Sequence, residues 1–299
     1  MRRVPLLFLF LVLIVLFFIG AFQIYTTKKA EENLRELLSR LGMEEEVAYD
    51  RISYSPFSGI TEVTNLRVHF PEGTTTAERL RITSLTPSSL DLSVQGISSD
   101  TEGFRDFLRN MKDLGYEDVR LNLQLLLTLN DRERELALRL FEIVAPEAFS
   151  VGLRLHADRI DSALISALAE AEEDEEVEKL SEQLGRVRLR SLELFLRDLG
   201  VRARILEKEA RSRNRTPEDI LKEVERELRR GLEEDPEFRK ELLKAVNSFL
   251  LSGGTLRVRA DPVPPVDFQT LILLTLLSLQ TGDFSEFVYR LNLRVEHLP

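Results

Sequence analysis

Histidines and carboxylates are the groups that could do chemistry in this chain, and their spacing is poor for it. The 299 residues contain no cysteine, which excludes disulfides, thiolate metal sites and thiol catalysis. His69, His156 and His297 lie far apart in sequence, with no catalytic motif around any of them. GxSxG, HExxH, P-loop and GxGxxG patterns are absent. An acidic run, Glu170, Glu172, Glu173, Asp174, Glu175, Glu176 and Glu178, is the densest set of oxygen ligands. It lacks the turn-imposed spacing and glycine of a calcium loop, and reads as a solvated face. No cofactor, metal site or enzymatic activity is expected. With 51 acidic against 41 basic residues, nucleic acid is not an expected partner.

What remains is apolar chemistry. Leu121, Leu123, Leu125 and Leu127 alternate along one face of the strand pattern at 119–129. Ile272, Leu273 and Leu276 belong to a nearly all-apolar helix pattern, Phe268–Leu279, too short to span a bilayer. This helix reads either as a buried core helix or as one wall of a groove that holds acyl chains. In the second case the four strand leucines supply the other wall.

The elements that must position these residues alternate between strands and helices. Period-two patterns carry Ile52 and Tyr54; Leu66, Val68 and Phe70; Leu80 and Ile82; Leu90, Leu92 and Val94. Leu136, Leu138 and Leu140 read as a hairpin partner of the leucine strand, with a helix as the competing assignment. Val151, Leu153 and Leu155 form a further strand, and Val187–Leu196 another, with a phase slip near Ser191 that suggests a bulge. Helical spacing runs through Phe104–Met111 and from Ile160 to Leu184. Thr216-Pro217 and Asp235-Pro236 open two more helices. Asn214-Arg215-Thr216 matches a glycosylation sequon, but a helix cap explains it more simply. Arg-Leu-Asn-Leu recurs at Arg120–Leu123 and Arg290–Leu293, a weak repeat.

Val4–Thr27 is 24 residues without charge, including Leu6, Phe10, Leu13 and Phe17, with Tyr25 near its end. It exceeds the ~20 residues a membrane helix needs and the ~7–15 of a secretory core. The expectation is an uncleaved signal anchor over 1–29, in a single pass of the inner membrane. An exported, periplasmic α+β domain over 30–299 follows, with a sub-boundary near 185. The fold class expected is α+β: an N-terminal transmembrane helix, then an extended, mostly antiparallel curved sheet with helices packed on one face.

Tyr49-Asp50-Arg51-Ile52-Ser53-Tyr54-Ser55-Pro56-Phe57-Ser58-Gly59 leads into Val63-Thr64-Asn65-Leu66-Arg67-Val68. This opening, with the later strand–helix–strand units ending in Leu-Asn-Leu, resembles bacterial envelope proteins of the YdgA-like and AsmA-like kind. The resemblance implies a membrane-anchored periplasmic protein and, for AsmA-like relatives, an elongated β-groove that carries lipid. It transfers no individual functional residue. The expected partners are membrane lipids at the anchor, an acyl-chain ligand and envelope proteins. Three functions stay open: a lipid-handling envelope protein, an anchored scaffold without a lipid ligand, and, last, a hydrolase.

Overall fold

The computed structural model describes residues 46–299, apart from 56–57, 87, 171–173, 232–235 and 282. The chain divides into two compact units. Unit 1 comprises residues up to Arg132 together with Asp161–Leu180, and unit 2 comprises Glu133–Ile160 and Ser181–Pro299.

Unit 1 is built on strands β1 (Val47–Ala48), β2 (Arg51–Ser55), β3 (Ile60–Phe70), β4 (Gly73–Thr86), β5 (Ser89–Ser99) and β6 (Leu121–Asn130). The last four pair in sequence order, all antiparallel, and β1 and β2 both pair with β3. The short connections from β3 to β4 and from β4 to β5 make hairpins, and β6 returns beside β5 after α1. Helix α1 (Glu102–Asp113) packs on β5, and α2 (Ser162–Glu170) returns to this unit. Cross-strand register sets the core. Val63 faces Leu80, Leu80 faces Val94, and Val94 faces Leu123. In the next row Leu92, wholly buried, faces Leu125.

Unit 2 follows the same logic. Its strands are β7 (Glu135–Ala145), β8 (Phe149–Asp158), β9 (Arg188–Asp198), β10 (Thr255–Ala260), β11 (Val266–Asp267) and β12 (Leu293–Leu298). The order is β7-β8-β9-β10-β12, antiparallel, with β11 beside the start of β9. Between β8 and β9 lie α2 and α3 (Asp174–Gly185). Between β9 and β10 lie α4 (Val201–Ser212), α5 (Pro217–Gly231) and α6 (Pro236–Ser252). Helices α7 (Phe268–Thr281) and α8 (Ser285–Leu291) precede β12. Thr216 opens α5 as expected: its hydroxyl accepts the Asp219 N–H at 3.2 Å, and Asp219 accepts the Thr216 N–H at 3.3 Å. This reciprocal cap uses the hydroxyl of the Asn214-Arg215-Thr216 sequence.

The piece at 136–144 is a strand. The phase slip near Ser191 is a bulge: His156 faces Ser191 and Ala157 faces Leu189, leaving Arg190 as the extra residue.

One face of the unit 2 sheet is polar. Arg154, Glu193, Arg257 and Glu296 form an ion ladder across β8, β9, β10 and β12. Phe195 lies on this face over Gly152, with the guanidinium carbons of Arg154 and Arg197 at 5.3 and 6.0 Å from its ring centre. Gly152 has to be glycine, because a Cβ there would stand 2.0 Å from Phe195 Cζ. Gly152→Ala should cost about 1–3 kcal/mol, the usual range for overpacking. Adding Phe195→Leu should recover part of that loss in urea unfolding. Equal loss in the single and double variants would show that the ring is not the obstacle.

Two expectations are corrected. Among the described residues no helix is long and apolar enough to cross a membrane. Over the described residues the fold is an α+β arrangement of antiparallel strands in which no helix answers to the expected transmembrane span, and the single-pass inner-membrane location finds no support there. The anchor residues Leu6, Phe10, Leu13, Phe17 and Tyr25 lie outside the described residues. The most apolar described helix, α7, has 14 residues, about 21 Å at 1.5 Å per residue, against ~30 Å of hydrocarbon.

Candidate apolar docking surface

The four strand leucines are core residues of unit 1. Leu123 and Leu125 are 5% and 4% exposed, packed in register with Val94 and Leu92. Leu121 and Leu127 are half-buried on the same strand. The helix residues are placed differently. Ile272, Leu273 and Leu276 are 60%, 54% and 52% exposed on α7 in unit 2. The strand set thus belongs to unit 1 and the helix set to unit 2.

Unit 2 has an apolar sheet face of its own, which the sequence reading missed as a site. Alternation on β8, β9 and β10, joined through the register, builds it in rows. One row runs Phe141, Leu153, Leu194, Val258, Val295, and the next runs Ile143, Val151, Leu196, Leu256, His297. A third runs Leu138, Leu155, Leu192, Ala260, Leu293. Helices cover these rows unevenly. Phe268 and Leu271 of α7, with Phe287 and Leu291 of α8, pack with Leu155, Leu189, Leu192, Ala260 and Leu293. Helix α6 packs on β10 and β12, and Val295 is buried. Farther along the same rows Leu194 and Val151 are 46% and 44% exposed. The face is therefore covered under α6 and α7 and left open at Val151 of β8 and Leu194 of β9.

Helix α7 continues the apolar surface outward. Phe268, Leu271, Leu274 and Ser278, with Thr270 near its start, mark its inner side. Eight of the fifteen large apolar side chains left exposed among the described residues fall in 263–289: Val263, Ile272, Leu273, Leu276, Leu277, Leu279, Phe284 and Tyr289. Exposed apolar residues scattered singly mean little, but a concentration of this kind makes 263–289 a candidate interaction surface.

Ionisable groups are organised elsewhere and serve the fold. Asp158, 3% exposed, accepts two hydrogen bonds from Arg188 at 2.7 and 2.9 Å and one from Arg190 at 2.9 Å. Burial alone would push the Asp158 carboxyl up, but the hydrogen bonds and charges of Arg188 and Arg190 outweigh it and hold it below its ordinary value. Arg190 also pairs with Glu135 at 3.0 Å, and His156 lies 3.4 Å from the same carboxylate. His69 contacts the Thr74 hydroxyl at 2.9 Å, and His297 the Gly253 carbonyl at 2.7 Å. The three histidines thus have separate, local partners. Among the described residues no group of acidic and histidine side chains is placed to hold a metal ion. The side chains of the acidic run at 170–178 lie outside that description.

Residues 142–297, just over half of the chain, match the model of a family described as "Uncharacterized protein". The chain is also similar to an uncharacterized protein of Aquifex aeolicus (strain VF5), 28% identical over 269 residues, covering 85% of this chain and 86% of that relative. The matched family region takes in the open face of β8 and β9 and the whole of α7. This chain belongs to that family of uncharacterized proteins.

Proposed function

We propose that this protein is a non-catalytic lipid-handling module that takes up acyl chains on the apolar face of unit 2. One observation carries the reading: Leu194 and Val151 stand 46% and 44% exposed on an apolar face that α6 and α7 cover only in part. An acyl chain laid along β8 and β9 would complete the cover that the helices leave unfinished. About 0.8 kcal/mol accompanies each CH₂ taken from water, so about ten methylenes offer about 8 kcal/mol before ordering costs. The resemblance of the Tyr49–Val68 opening to lipid-carrying AsmA-like proteins supports the same reading.

The test is titration of the full-length chain with a fluorescent fatty-acid analogue. Saturable binding is expected, weakened at least tenfold by Leu194→Asp, with circular dichroism unchanged. A charge at that position would have to be buried against hydrocarbon or displace it. Absence of saturable binding, or a Leu194→Asp variant that binds as well as the parent, would overturn the reading. The face would then belong to a protein partner, as in the scaffold alternative.

A further inference from the structure

We propose that the outward face of α7, together with α8, docks unit 2 on the surface of a lipid bilayer. This deepens the lipid reading by naming the lipid's source, and it uses residues that the acyl-chain face does not. Three observations favour hydrocarbon as the occupant of this helix face.

The first is charge. Phe268–Thr281 contains no ionisable side chain, and its five most exposed large residues, Ile272, Leu273, Leu276, Leu277 and Leu279, are all aliphatic. Protein interfaces concentrate their energy in tryptophan, tyrosine and arginine, none of which occurs in α7, where the exposed polar side chains are the uncharged Gln269, Thr275, Gln280 and Thr281. A bilayer needs only apolar area.

The second is the state of the polar groups. The Thr275 hydroxyl donates to the Leu271 carbonyl at 2.8 Å, and the Thr281 hydroxyl to the Leu277 carbonyl at 2.9 Å. The donors of these two hydroxyls are spent on the helix itself, so both can leave water without losing a hydrogen bond. At the start of the helix, Asp267 accepts the Thr270 N–H at 2.7 Å.

The third is the boundary. Helix α8 packs beside α7 and presents Tyr289, 81% exposed, with Phe284 just ahead of it at 45%. Aromatic rings with an apolar body sit well at the headgroup level. Arg290 in the same helix is paired with Glu286 at 2.7 Å and so contributes no net attraction to acidic lipid. At about 21 Å, α7 is suited to lie in the interface and not to cross it. Docking should therefore be independent of salt and need no anionic lipid.

The chain has no cysteine, so Leu276→Cys gives a single labelling site for an environment-sensitive dye in the full-length protein. Ser212→Cys, on α4, is the control. Neutral phosphatidylcholine vesicles should raise the Leu276→Cys emission several-fold with a blue shift. A quencher carried on the lipid chains should abolish that signal at low and high salt alike, and Ser212→Cys should stay unchanged. A silent Leu276→Cys probe overturns the proposal. A shift that needs no vesicles and grows with protein concentration also overturns it, in favour of a second copy on this face. A shift that requires phosphatidylglycerol and vanishes with salt would overturn the charge-free mode of docking. Fatty-acid binding with a silent probe leaves the acyl-chain reading standing alone, and a lipid-embedded probe without fatty-acid binding does the reverse.

Discussion

Replacing Asp158 by alanine should lower the stability of unit 2 by about 3 kcal/mol, the lower end of the cost of breaking a buried ion pair. Asp158 closes β8, and the bulge at Arg190 falls beside it, so that β9 delivers both Arg188 and Arg190 to one carboxylate. The carboxylate is 4% exposed at its side chain, and its two partners are 33% and 42% exposed. That asymmetry orders the variants. Asp158→Ala leaves two cations that still reach water. Arg188→Ala leaves the buried anion with Arg190 alone, so it should cost at least as much. Arg190→Ala keeps the two bonds from Arg188 and should cost least. Hydrogen-exchange protection of the β8 and β9 amides measures all three. Equal and small losses would mean that apolar packing alone closes this end of the sheet.

The same node gives an acid limit. Asp158 titrates below its ordinary value in the folded protein, so the unfolded chain binds the proton first as pH falls. Its contribution is complete above the unfolded value of about 3.9, and it declines below that, through the depressed folded value. Asp158→Asn should be less stable at neutral pH and show a shallower loss in acid. A parent and variant with parallel acid limbs would remove Asp158 as the cause.

How much of this could be read from the residues follows from what each signal depends on. Alternation of apolar and polar side chains is a local property, and it located the strands around Leu66, Leu80, Leu92, Leu123 and Val151. The slip near Ser191 showed the bulge because an extra residue shifts the phase of everything after it. The partner of a strand face is not local. The pattern at 119–129 says that one face is apolar, and nothing in it says whether a core or a ligand covers that face. Leu123 and Leu125 turn out to be covered by their own unit, and Leu194 and Val151 are left partly uncovered. Helix α7 was ambiguous for a related reason. A helix apolar on all sides has no polar stripe to point to water, so sequence alone favoured burial of a helix that presents four of its six leucines to solvent. The short α8 between α7 and β12 carries too few residues to show a helical period.

That contrast fixes the last prediction. Leu123→Ala should destabilise unit 1 by about 2–5 kcal/mol, because it removes a side chain 5% exposed and leaves a cavity beside Val94. Leu276→Ala, at 52% exposed, should change stability by no more than about 0.5 kcal/mol, as surface substitutions do. The two residues were equal candidates for a ligand surface when only their types and spacing were in view. Denaturant unfolding separates them, since a side chain retained for folding is costly to lose and one retained for binding is not. A large loss at Leu276 would show that α7 is packed against its own chain and has no free face to offer. A negligible loss at Leu123 would show that the leucine strand is less tightly enclosed than Val94 and Leu92 make it, and would return it to the set of ligand-facing residues.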